Sequence, residues 1–429
     1  MSDETEVGNY FISNYPPFSF WGQEHADEAR AAINRPNPET PLGLYLHIPF
    51  CRKRCKFCYF RVYTDKNANE VEVYLDALAR EIELYSQQPV FEGRQFRSVY
   101  FGGGTPSYLG SKQLRGLIDR LRKSISWDEA EEVTFECEPG TLKEHKVQAL
   151  RDIGVTRLSL GVENFSDKVL EENGRAHLSP EVFKAYDWIR AAGFKSVNID
   201  LIAGMVGESW DNWKDCVRKA IEMDPDSVTI YQMELPYNTI YSRAILQDGQ
   251  ESPVATWETK REWVDYAFKA LEAAGYIVSS AYTMVKEGTR FVYRDGLWHG
   301  ADLAGTGVAS FGHIGGVHYQ NVDTLDEYVK LLQEDVIPIN RALPVTEDQR
   351  LIRELILQTK VGRLNADYFR QKFDKDIFEI FGPVYEKYEQ ENLLKREGDE
   401  ILLTREGLLR VDSMLPEFFQ AQHRDARYT

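Results

Sequence analysis

Short apolar runs alternate with amphipathic segments through the first half of the chain. Six runs have the length and composition of strands, at 43–48, 97–102, 132–137, 157–162, 196–202 and 227–233. Apolar residues at helical spacing predict helices between them, near 69–87, 111–125, 142–152, 180–192 and 209–222. This alternation predicts an α/β fold with a parallel sheet and helical crossovers. Six units favour an open or partial (β/α)6 barrel, because a full eight-stranded barrel needs more.

The pattern changes after the sixth run. A further helix is predicted over 257–274, and the glycine-rich stretch 302–321 is typical of a close-packed loop or strand at a sheet edge. Thr346 is a candidate N-cap for a helix, and "EILLT" further on has strand character. We therefore predict three parts: an N-terminal arm (1–40), a core with its extension (41–335), and a small, mostly helical, winged-helix-like C-terminal domain (336–429).

The predicted arm contains one aromatic and proline cluster, "NYPPFSFW" at 14–21, in an otherwise polar segment. Such a cluster either packs the arm onto the body of the protein or lines a substrate pocket. The sequence leaves both interpretations open.

Charge narrows the classes of function. The formal net charge of −17 disfavours binding to nucleic acid or to an anionic membrane. No apolar run approaches the roughly 20 residues that span a bilayer, and the acidic N-terminus is unlike a secretory signal. We expect a cytoplasmic protein, whose thiols stay reduced.

Three of the five cysteines lie close together. Cys51, Cys55 and Cys58 directly follow the first predicted strand, while Cys137 and Cys216 stand alone. Chemistry in parallel α/β folds gathers at the carboxyl ends of strands. Three thiolates can hold three corners of a cubane iron–sulfur cluster, whereas a structural zinc ion would need four protein ligands.

The Cx3CxxC spacing in the context "YLHIPFC" resembles the radical S-adenosylmethionine (SAM) superfamily, in the branch that contains oxygen-independent coproporphyrinogen III oxidase. The resemblance extends over about 40–425. It implies a [4Fe–4S] cluster on Cys51, Cys55 and Cys58, with one SAM molecule and, in some relatives, a second. It also implies reductive cleavage of SAM to a 5′-deoxyadenosyl radical, with an electron from a reduced flavodoxin or ferredoxin-type donor.

Further motifs match this family in order. "GGGTPS" follows the second strand and "FECEP" ends the third. In the family the glycine loop holds the SAM amino group and the acid lies near SAM. The resemblance therefore assigns SAM contacts to Gly103, Gly104, Thr105 and Glu136.

The next three strands add four residues. "LGVENF" has Glu163 where the family usually has glutamine, and "ENGRAH" places Arg175 where an arginine pairs with the SAM carboxylate. Asp200 of "NIDLIAG" matches a ribose-binding aspartate. Gln232 of "YQMELP" is expected to line the site with Tyr231.

Three residues are candidates for direct roles in catalysis. Tyr45 and His47 are period-2 partners on the first strand and face the same side. The family has tyrosine and histidine there, facing SAM or the cluster. Glu163 joins them, because a carboxylate replaces the usual amide.

The reaction within the family is less defined. The oxidase has a further cysteine two residues after the third, where this chain has Phe60. Our leading hypothesis is two-SAM carbon transfer, as C-methylation or cyclopropanation of an unsaturated small molecule, with or without a partner methyltransferase. The alternatives are oxidative decarboxylation of a tetrapyrrole and a haem-binding chaperone. His313 and His318 either bind haem iron, pass a proton or simply pack in their glycine-rich segment.

Overall fold

A computed structural model describes residues 3–8, 10–424 and 426. These residues form two compact units. The larger unit comprises 21–201 and 289–344. The smaller unit comprises the described residues of 1–20, 202–288 and 345–429. Residues 1, 2, 9, 425 and 427–429 of the predicted arm and C-terminal domain lie outside the described residues.

The strands are β1 (Leu42–Ile48), β2 (Phe96–Gly103), β3 (Glu132–Cys137), β4 (Arg157–Glu163), β5 (Ser196–Ala203), β6 (Ser227–Gln232), β7 (Ile277–Ser280), β8 (Thr283–Val285), β9 (Asp302–Thr306), β10 (Phe311–Ile314), β11 (Val317–Asn321), β12 (Ile339–Pro344), β13 (Arg363–Asn365), β14 (Leu394–Glu397) and β15 (Glu400–Leu403).

The helices are α1 (Ala26–Ile33), α2 (Ala68–Ser86), α3 (Ser111–Leu121), α4 (Glu144–Asp152), α5 (Asp167–Glu172), α6 (Ser179–Ala192), α7 (Trp210–Met223), α8 (Ile240–Asp248), α9 (Trp257–Ala273), α10 (Val292–Trp298), α11 (Leu325–Gln333), α12 (Glu347–Thr359), α13 (Ala366–Phe373), α14 (Ile377–Gln390), α15 (Arg405–Leu409) and α16 (Val411–Met414).

A parallel sheet forms the centre of the larger unit. Strands β1 to β5 pair in chain order and in parallel, with α2 to α6 in the connections between them. The strand interiors are almost wholly buried, as continuous apolar runs predict for a sheet covered on both faces. All five carboxyl ends meet at one edge, which therefore gathers the loops that follow these strands.

The sheet also continues on the other side of β1. The sequence predicted only that the glycine-rich stretch is a loop or strand at a sheet edge. The glycine-rich stretch folds into β9, β10 and β11, and β12 completes this extension. β9 pairs with β1 in parallel, whereas β10 to β12 are antiparallel. A Cβ atom at Gly305 would lie 1.9 Å from the Phe311 carbonyl oxygen, so this close strand packing requires glycine.

The smaller unit contains β6, β8 and β7 as an antiparallel sheet with α7 to α9. Its C-terminal part has helices α12 to α14 and a three-stranded sheet ordered β13–β15–β14. A helix–strand–helix–helix–hairpin order of this kind has winged-helix character, as predicted. Thr346 caps α12 by accepting a hydrogen bond from the Gln349 amide at 3.2 Å.

The aromatic cluster at 14–21 is divided between the two units. Tyr15 is fully buried in the smaller unit, where its hydroxyl lies 2.7 Å from His423 Nδ1. Trp21, in the larger unit, stacks on His318 with ring centroids 5.0 Å apart. His318 in turn lies 2.9 Å from His313 through the Nδ1 atoms, and both rings are buried. These contacts favour packing for the cluster and for both histidines.

No helix in the described parts of the chain is long and apolar enough to cross a bilayer.

Candidate functional site

Three thiols lie in the loop that follows β1. Cys51 is buried, whereas Cys55 and Cys58 are partly exposed. The loop is held by its backbone, since Cys51 N donates to Tyr63 O at 3.1 Å and Cys58 N donates to Cys55 O at 3.2 Å. Thr105 Oγ1 donates to Cys51 Sγ at 3.2 Å. The thiols are thus fixed at the carboxyl edge of the sheet, where the spacing predicted them.

The surroundings of these thiols fit an iron–sulfur cluster. Burial raises the pKa of Cys51 to about 12 and that of Cys58 to about 11, so the bare thiols are protonated and iron would displace their protons. Among the described residues, no three His, Cys, Asp or Glu side chains converge tightly enough for one metal ion. A structural zinc ion takes four protein ligands, whereas this loop offers three thiols. A cluster instead takes each thiolate at a separate iron.

Two glycines of the "GGGTPS" loop give this edge its shape. Gly103 has a φ of 115°, and a Cβ atom there would lie 2.7 Å from the His47 ring. A Cβ atom at Gly104 would lie 3.0 Å from Cys51 Sγ. Any other residue would push into the thiol loop, so the backbone can approach a ligand closely only with glycine.

Glu136 lies beside this loop on β3. Its carboxylate accepts hydrogen bonds from Tyr100 Oη at 2.8 Å and from Gly103 N at 3.1 Å. Burial raises the pKa of Glu136 to about 7, although the hydrogen bond from Tyr100 lowers it. The carboxylate is therefore joined to the glycine loop, as a ligand-binding acid would be.

Two more acids, both mostly but not fully buried, follow on the next strands. Asp200 accepts hydrogen bonds from Ser159 Oγ and Asn198 Nδ2, both at 2.8 Å. Burial raises its pKa to about 6 and that of Glu163 to about 7. Glu163 has a φ of 62°, at the point where the β4–β5 register shifts.

Arg175 connects the acids with the thiols. Its Nη2 lies 3.4 Å from Glu163 Oε1 and donates to Gly161 O at 2.8 Å, while Nη1 donates to Cys55 Sγ at 3.4 Å. Its Nε is buried without a hydrogen-bond partner. Burial opposes its charge, but Cys55 and Glu163 raise the pKa of Arg175 above its usual range. A permanent cation therefore lies beside Glu163, whose carboxyl interacts with those of Asp200 and Glu136. Opposite charges in one place suit a zwitterionic ligand with an added sulfonium charge.

Tyr45 and His47 share one face of β1, as their spacing predicts. Tyr45 Oη lies 3.2 Å from His47 Nδ1. Burial lowers the pKa of His47 to about 4, which keeps the ring neutral, and its Nε2 is buried without a hydrogen-bond partner. A buried orphan nitrogen costs free energy unless a ligand satisfies it.

A second buried network, missed by the sequence analysis, supports the thiol loop. Arg52 donates to both carboxylate oxygens of Glu138, at 3.1 and 3.0 Å, and to Ala176 O at 2.8 Å. His177 Nδ1 lies 3.2 Å from Glu138 Oε1. Burial raises the pKa of Glu138, but hydrogen bonds from His177 and Arg52 outweigh it and lower the pKa to about 2. Glu138 thus ties the residue after Cys51 to the residues after Arg175.

One missed partner had a detectable signal. Asn198 lies two residues before Asp200, so both face the same side of β5. A polar residue two positions before a predicted ligand was therefore a candidate, whereas Tyr100 reaches Glu136 from the neighbouring strand. Glu138 had no such signal, because its partners come from loops distant in sequence.

Glu138→Gln is expected to lower the free energy of unfolding by about 1.5–3 kcal/mol, the usual worth of hydrogen bonds to charged groups. The fraction of the protein that keeps its iron–sulfur cluster through gel filtration is also expected to fall, because the thiol loop loses its hydrogen bonds to Glu138. Chemical denaturation and iron content test this. Glu171→Gln, at an exposed site on α5, is the matched control and is expected to change stability by less than about 0.5 kcal/mol. Equal stability and equal iron content in Glu138→Gln and Glu171→Gln would contradict the role of Glu138 in holding the thiol loop.

Gln232 and Tyr231 belong to the smaller unit. Gln232 Nε2 donates to Leu409 O at 3.3 Å, and its Oε1 is buried without a hydrogen-bond partner. Tyr231 is 43% exposed. Their place in the site stays a prediction.

Comparisons with known proteins bear on this arrangement. Residues 45–220 match the radical SAM superfamily, and residues 345–410 match the HemN C-terminal domain. The structure superimposes on that of coproporphyrinogen III oxidase (HemN) from Escherichia coli with a TM-score of 0.83 and 25% identity, over 95% of this chain and 96% of that chain. The chain is a HemN-like radical SAM protein.

Curated relatives of this HemN-like protein fall into two kinds. The oxygen-independent coproporphyrinogen III oxidase of Synechocystis sp. is 27% identical over 428 residues, which cover 95% of this chain and 91% of the relative. The heme chaperone HemW of Bacillus subtilis is 26% identical over 367 residues, which cover 85% of this chain and 96% of the relative.

These findings confirm the predicted fold, a radical SAM α/β core with a helical HemN-type C-terminal domain, and the predicted cofactors. The HemN-like protein uses a [4Fe–4S] cluster and SAM. Two-SAM carbon transfer, our leading hypothesis from the sequence, receives no support from these relatives.

Proposed function

We propose that this protein cleaves SAM reductively and uses the resulting radical to oxidise a propionate-bearing porphyrinogen of the coproporphyrinogen III kind. The observation that carries the radical chemistry is the group at the carboxyl edge: three thiols, a glycine loop, three partly buried acids and Arg175. The observation that carries the substrate class is the likeness to coproporphyrinogen III oxidases over nearly the whole chain.

The resemblance supplies the roles of the residues, and the geometry supports them. Cys51, Cys55 and Cys58 would hold the cluster, which supplies one electron to break a carbon–sulfur bond of SAM and yield a 5′-deoxyadenosyl radical. Arg175 would bind the SAM carboxylate by charge-assisted hydrogen bonds. Gly103 offers backbone groups to the SAM amino group.

The remaining polar groups would orient SAM. Glu136 would accept from the ammonium group, and Asp200 from ribose hydroxyls. Glu163, a carboxylate where the family has an amide, would add negative charge opposite the sulfonium. His47 would stay neutral and offer its unpartnered Nε2, with Tyr45 holding the ring in place.

The proposed step balances for each propionate side chain. The 5′-deoxyadenosyl radical takes one hydrogen atom from the carbon next to the ring. The side-chain carboxylate leaves as carbon dioxide, and a carbon–carbon double bond forms. One electron remains and passes to a one-electron acceptor such as an oxidised flavin, which the assay must supply.

Likeness at the level of the whole structure favours the oxidase. The superposition on coproporphyrinogen III oxidase from Escherichia coli covers 95% of this chain and 96% of that chain. We also propose that the chain is organised as predicted, with an N-terminal arm (1–40), a radical SAM core with its extension (41–335) and a C-terminal domain (336–429).

Phe60 favours a haem chaperone as the second candidate. It stands where the oxidase resemblance calls for a further cysteine, and the chaperones also lack that thiol. Chemistry that depends on this thiol is therefore not available to this chain.

The fate of SAM and of the tetrapyrrole tests both candidates. The anaerobically reconstituted protein is reduced with dithionite and freed of the excess reductant. It is then given SAM, coproporphyrinogen III and a flavin acceptor, and the products are measured by mass spectrometry. We expect 5′-deoxyadenosine, together with products lighter by the mass of carbon dioxide and two hydrogens per side chain. The Cys51→Ala variant is expected to give neither.

Other outcomes would overturn the proposal in distinct ways. Tight stoichiometric haem binding with no SAM cleavage would identify the chaperone. 5′-Deoxyadenosine that rises together with S-adenosylhomocysteine, and with a substrate that gains a carbon, would restore two-SAM transfer. 5′-Deoxyadenosine with unchanged porphyrinogen would keep the radical chemistry and reject this substrate class.

A further inference from the structure

A buried carboxyl group on α2 takes no part in the proposed reaction. Glu81 has no exposed surface and lies in the larger unit. Three neutral groups donate hydrogen bonds to it. Gly307 N and Tyr328 Oη donate to its Oε2, the first at 2.7 Å, and Asn321 Nδ2 donates to its Oε1 at 2.7 Å. A carboxyl group held by neutral donors rather than by a cation is costly to bury, so packing alone does not account for it.

Glu81 and Asn321 together hold the turn that follows β9. We call residues 307–310 the β9 turn. The Gly307 amide donates to Glu81, and the Gly307 carbonyl accepts from Asn321 Nδ2 at 3.0 Å and from Ser310 Oγ at 2.7 Å. Gly307 has a φ of 98°, a backbone conformation that favours glycine. Side chains therefore fix both polar groups of this backbone unit, and Glu81 binds one of them directly.

The β9 turn lies directly against His47. A Cβ atom at Gly307 would lie 2.8 Å from His47 Cβ and 2.9 Å from His47 O. Tyr74 Oη donates to His47 O at 2.6 Å and accepts from Val308 N at 3.3 Å, so one hydroxyl joins β1 to the turn. The His47 ring meets the glycine loop, since a Cβ atom at Gly103 would lie 2.7 Å from it. His47 thus contacts the β9 turn through its backbone and Cβ, and the glycine loop through its ring.

We propose that Glu81 is a positioning residue, which acts through the β9 turn and Tyr74 to hold His47 Nε2 at the SAM site. That nitrogen is buried without a hydrogen-bond partner, so its direction decides whether a ligand can satisfy it. A group misplaced by 1 Å can cost about a hundredfold in rate, and smaller shifts cost less. This inference rests on the proposed place of His47 beside SAM and does not involve the porphyrinogen.

The network distinguishes the two protonation states of Glu81. When the carboxyl is ionised, Oε1 accepts from Asn321 Nδ2. A proton on Oε1 needs an acceptor instead, and Asn321 Oδ1 is buried without a hydrogen-bond partner. Reaching that oxygen turns the amide round and takes Nδ2 away from the Gly307 carbonyl. Protonation of Glu81 therefore loosens the β9 turn.

The surroundings place this change near neutral pH. Burial raises the pKa of Glu81 to about 7, although hydrogen bonds from Tyr328, Gly307 and Asn321 lower it. The titratable groups that face Glu81 are phenols, and burial raises the pKa of each, so they stay neutral there. They are Tyr74, Tyr85, Tyr319 and Tyr328. The turn is therefore held fully above pH 7 and loosens as the pH falls through 7.

The first test compares the wild type with Glu81→Gln at two pH values. The glutamine keeps an oxygen for Gly307 and Tyr328 but presents an amide nitrogen to Asn321, as the protonated acid presents a hydroxyl. The readout is 5′-deoxyadenosine formed by the cluster-loaded protein with dithionite and saturating SAM, without tetrapyrrole. We expect the wild type to be about tenfold faster at pH 8 but within about twofold at pH 6. Acids near Arg175 titrate in both proteins and so cancel in this ratio.

The second test asks whether the effect passes through His47. Tyr74→Phe removes one hydroxyl, and so keeps the proposal testable should Glu81→Gln fail to load its cluster. It is expected to slow 5′-deoxyadenosine formation about tenfold in the wild type but less than twofold in a His47→Ala background, because coupled residues are not additive. Tyr388→Phe is the matched control, since that buried hydroxyl donates to Met414 O at 2.8 Å in the smaller unit. It is expected to change the rate less than twofold.

Several results would overturn the proposal. A wild-type to Glu81→Gln ratio that is the same at pH 8 and pH 6 would do so. Equal losses from Tyr74→Phe with and without the His47 ring would assign the tyrosine to general stability. An unchanged rate in His47→Ala would leave Glu81 nothing to position. Iron content and far-UV circular dichroism are recorded for each variant. Because the readout is SAM cleavage, rejection of the porphyrinogen as substrate leaves both tests unaffected.

Discussion

Replacing Cys51, Cys55 or Cys58 by alanine will abolish SAM cleavage, with a loss of at least about a thousandfold in 5′-deoxyadenosine formed. Each thiolate is expected to hold a separate iron, and a cluster with two protein ligands has no stable anchor. Cys51 is held by Thr105 and Cys55 by Arg175, so the thiols are oriented before iron arrives. The measurements are iron and sulfide content, the electron paramagnetic resonance spectrum after reduction, and 5′-deoxyadenosine by mass spectrometry.

Cys216 provides the matched control for this series. It is fully buried on α7 in the smaller unit. Cys216→Ala removes one buried sulfur, which costs about 1 kcal/mol of stability and leaves the thiol loop intact. We expect a full cluster and normal cleavage. Retained cleavage in any of the three loop variants would refute the ligand assignment.

Arg175→Ala will weaken SAM binding by about 10- to 100-fold, since hydrogen bonds to a charged group contribute about 1.5–3 kcal/mol. The guanidinium is buried between Glu163 and Cys55, so little else nearby can neutralise a carboxylate. Equilibrium binding of SAM to the reconstituted protein is the measurement, with cluster content recorded in parallel.

The conservative variant separates binding from loop support. Arg175→Lys keeps the charge but loses the planar fork, so it is expected to recover part of the affinity. An unchanged SAM affinity in Arg175→Ala would remove the arginine from the binding site. Loss of the cluster in both variants would make Arg175 a support of Cys55 instead.

The sequence predicted the central sheet well because its strands carry strong local signals. The runs at 43–48 and 132–137 became β1 and β3 nearly residue for residue. The thiol spacing was equally local, and the strand before it fixed its edge of the sheet. Such features depend on residues adjacent in the chain.

Features that depend on distant contacts were not predictable in the same way. The polar stretch before residue 40 contains α1. The segment 302–321 forms three strands, of which β9 pairs with the free side of β1. The anchoring of the thiol loop by Glu138 needs Arg52 and His177, which no spacing connects. In each case the partner decides the structure, and the partner lies far away in sequence.

The pairing of β1 also sets an order of events during synthesis. β1 carries the thiol loop, yet its partner β9 is encoded 260 residues later, from Leu42 to Asp302. Until the ribosome has released that segment, one side of β1 has no neighbour, and the entropy of closing so long a loop delays the pairing. We therefore expect the apoprotein to acquire its iron after most of the chain has emerged. Cells that make this protein need to protect three reduced thiols from oxygen throughout that interval.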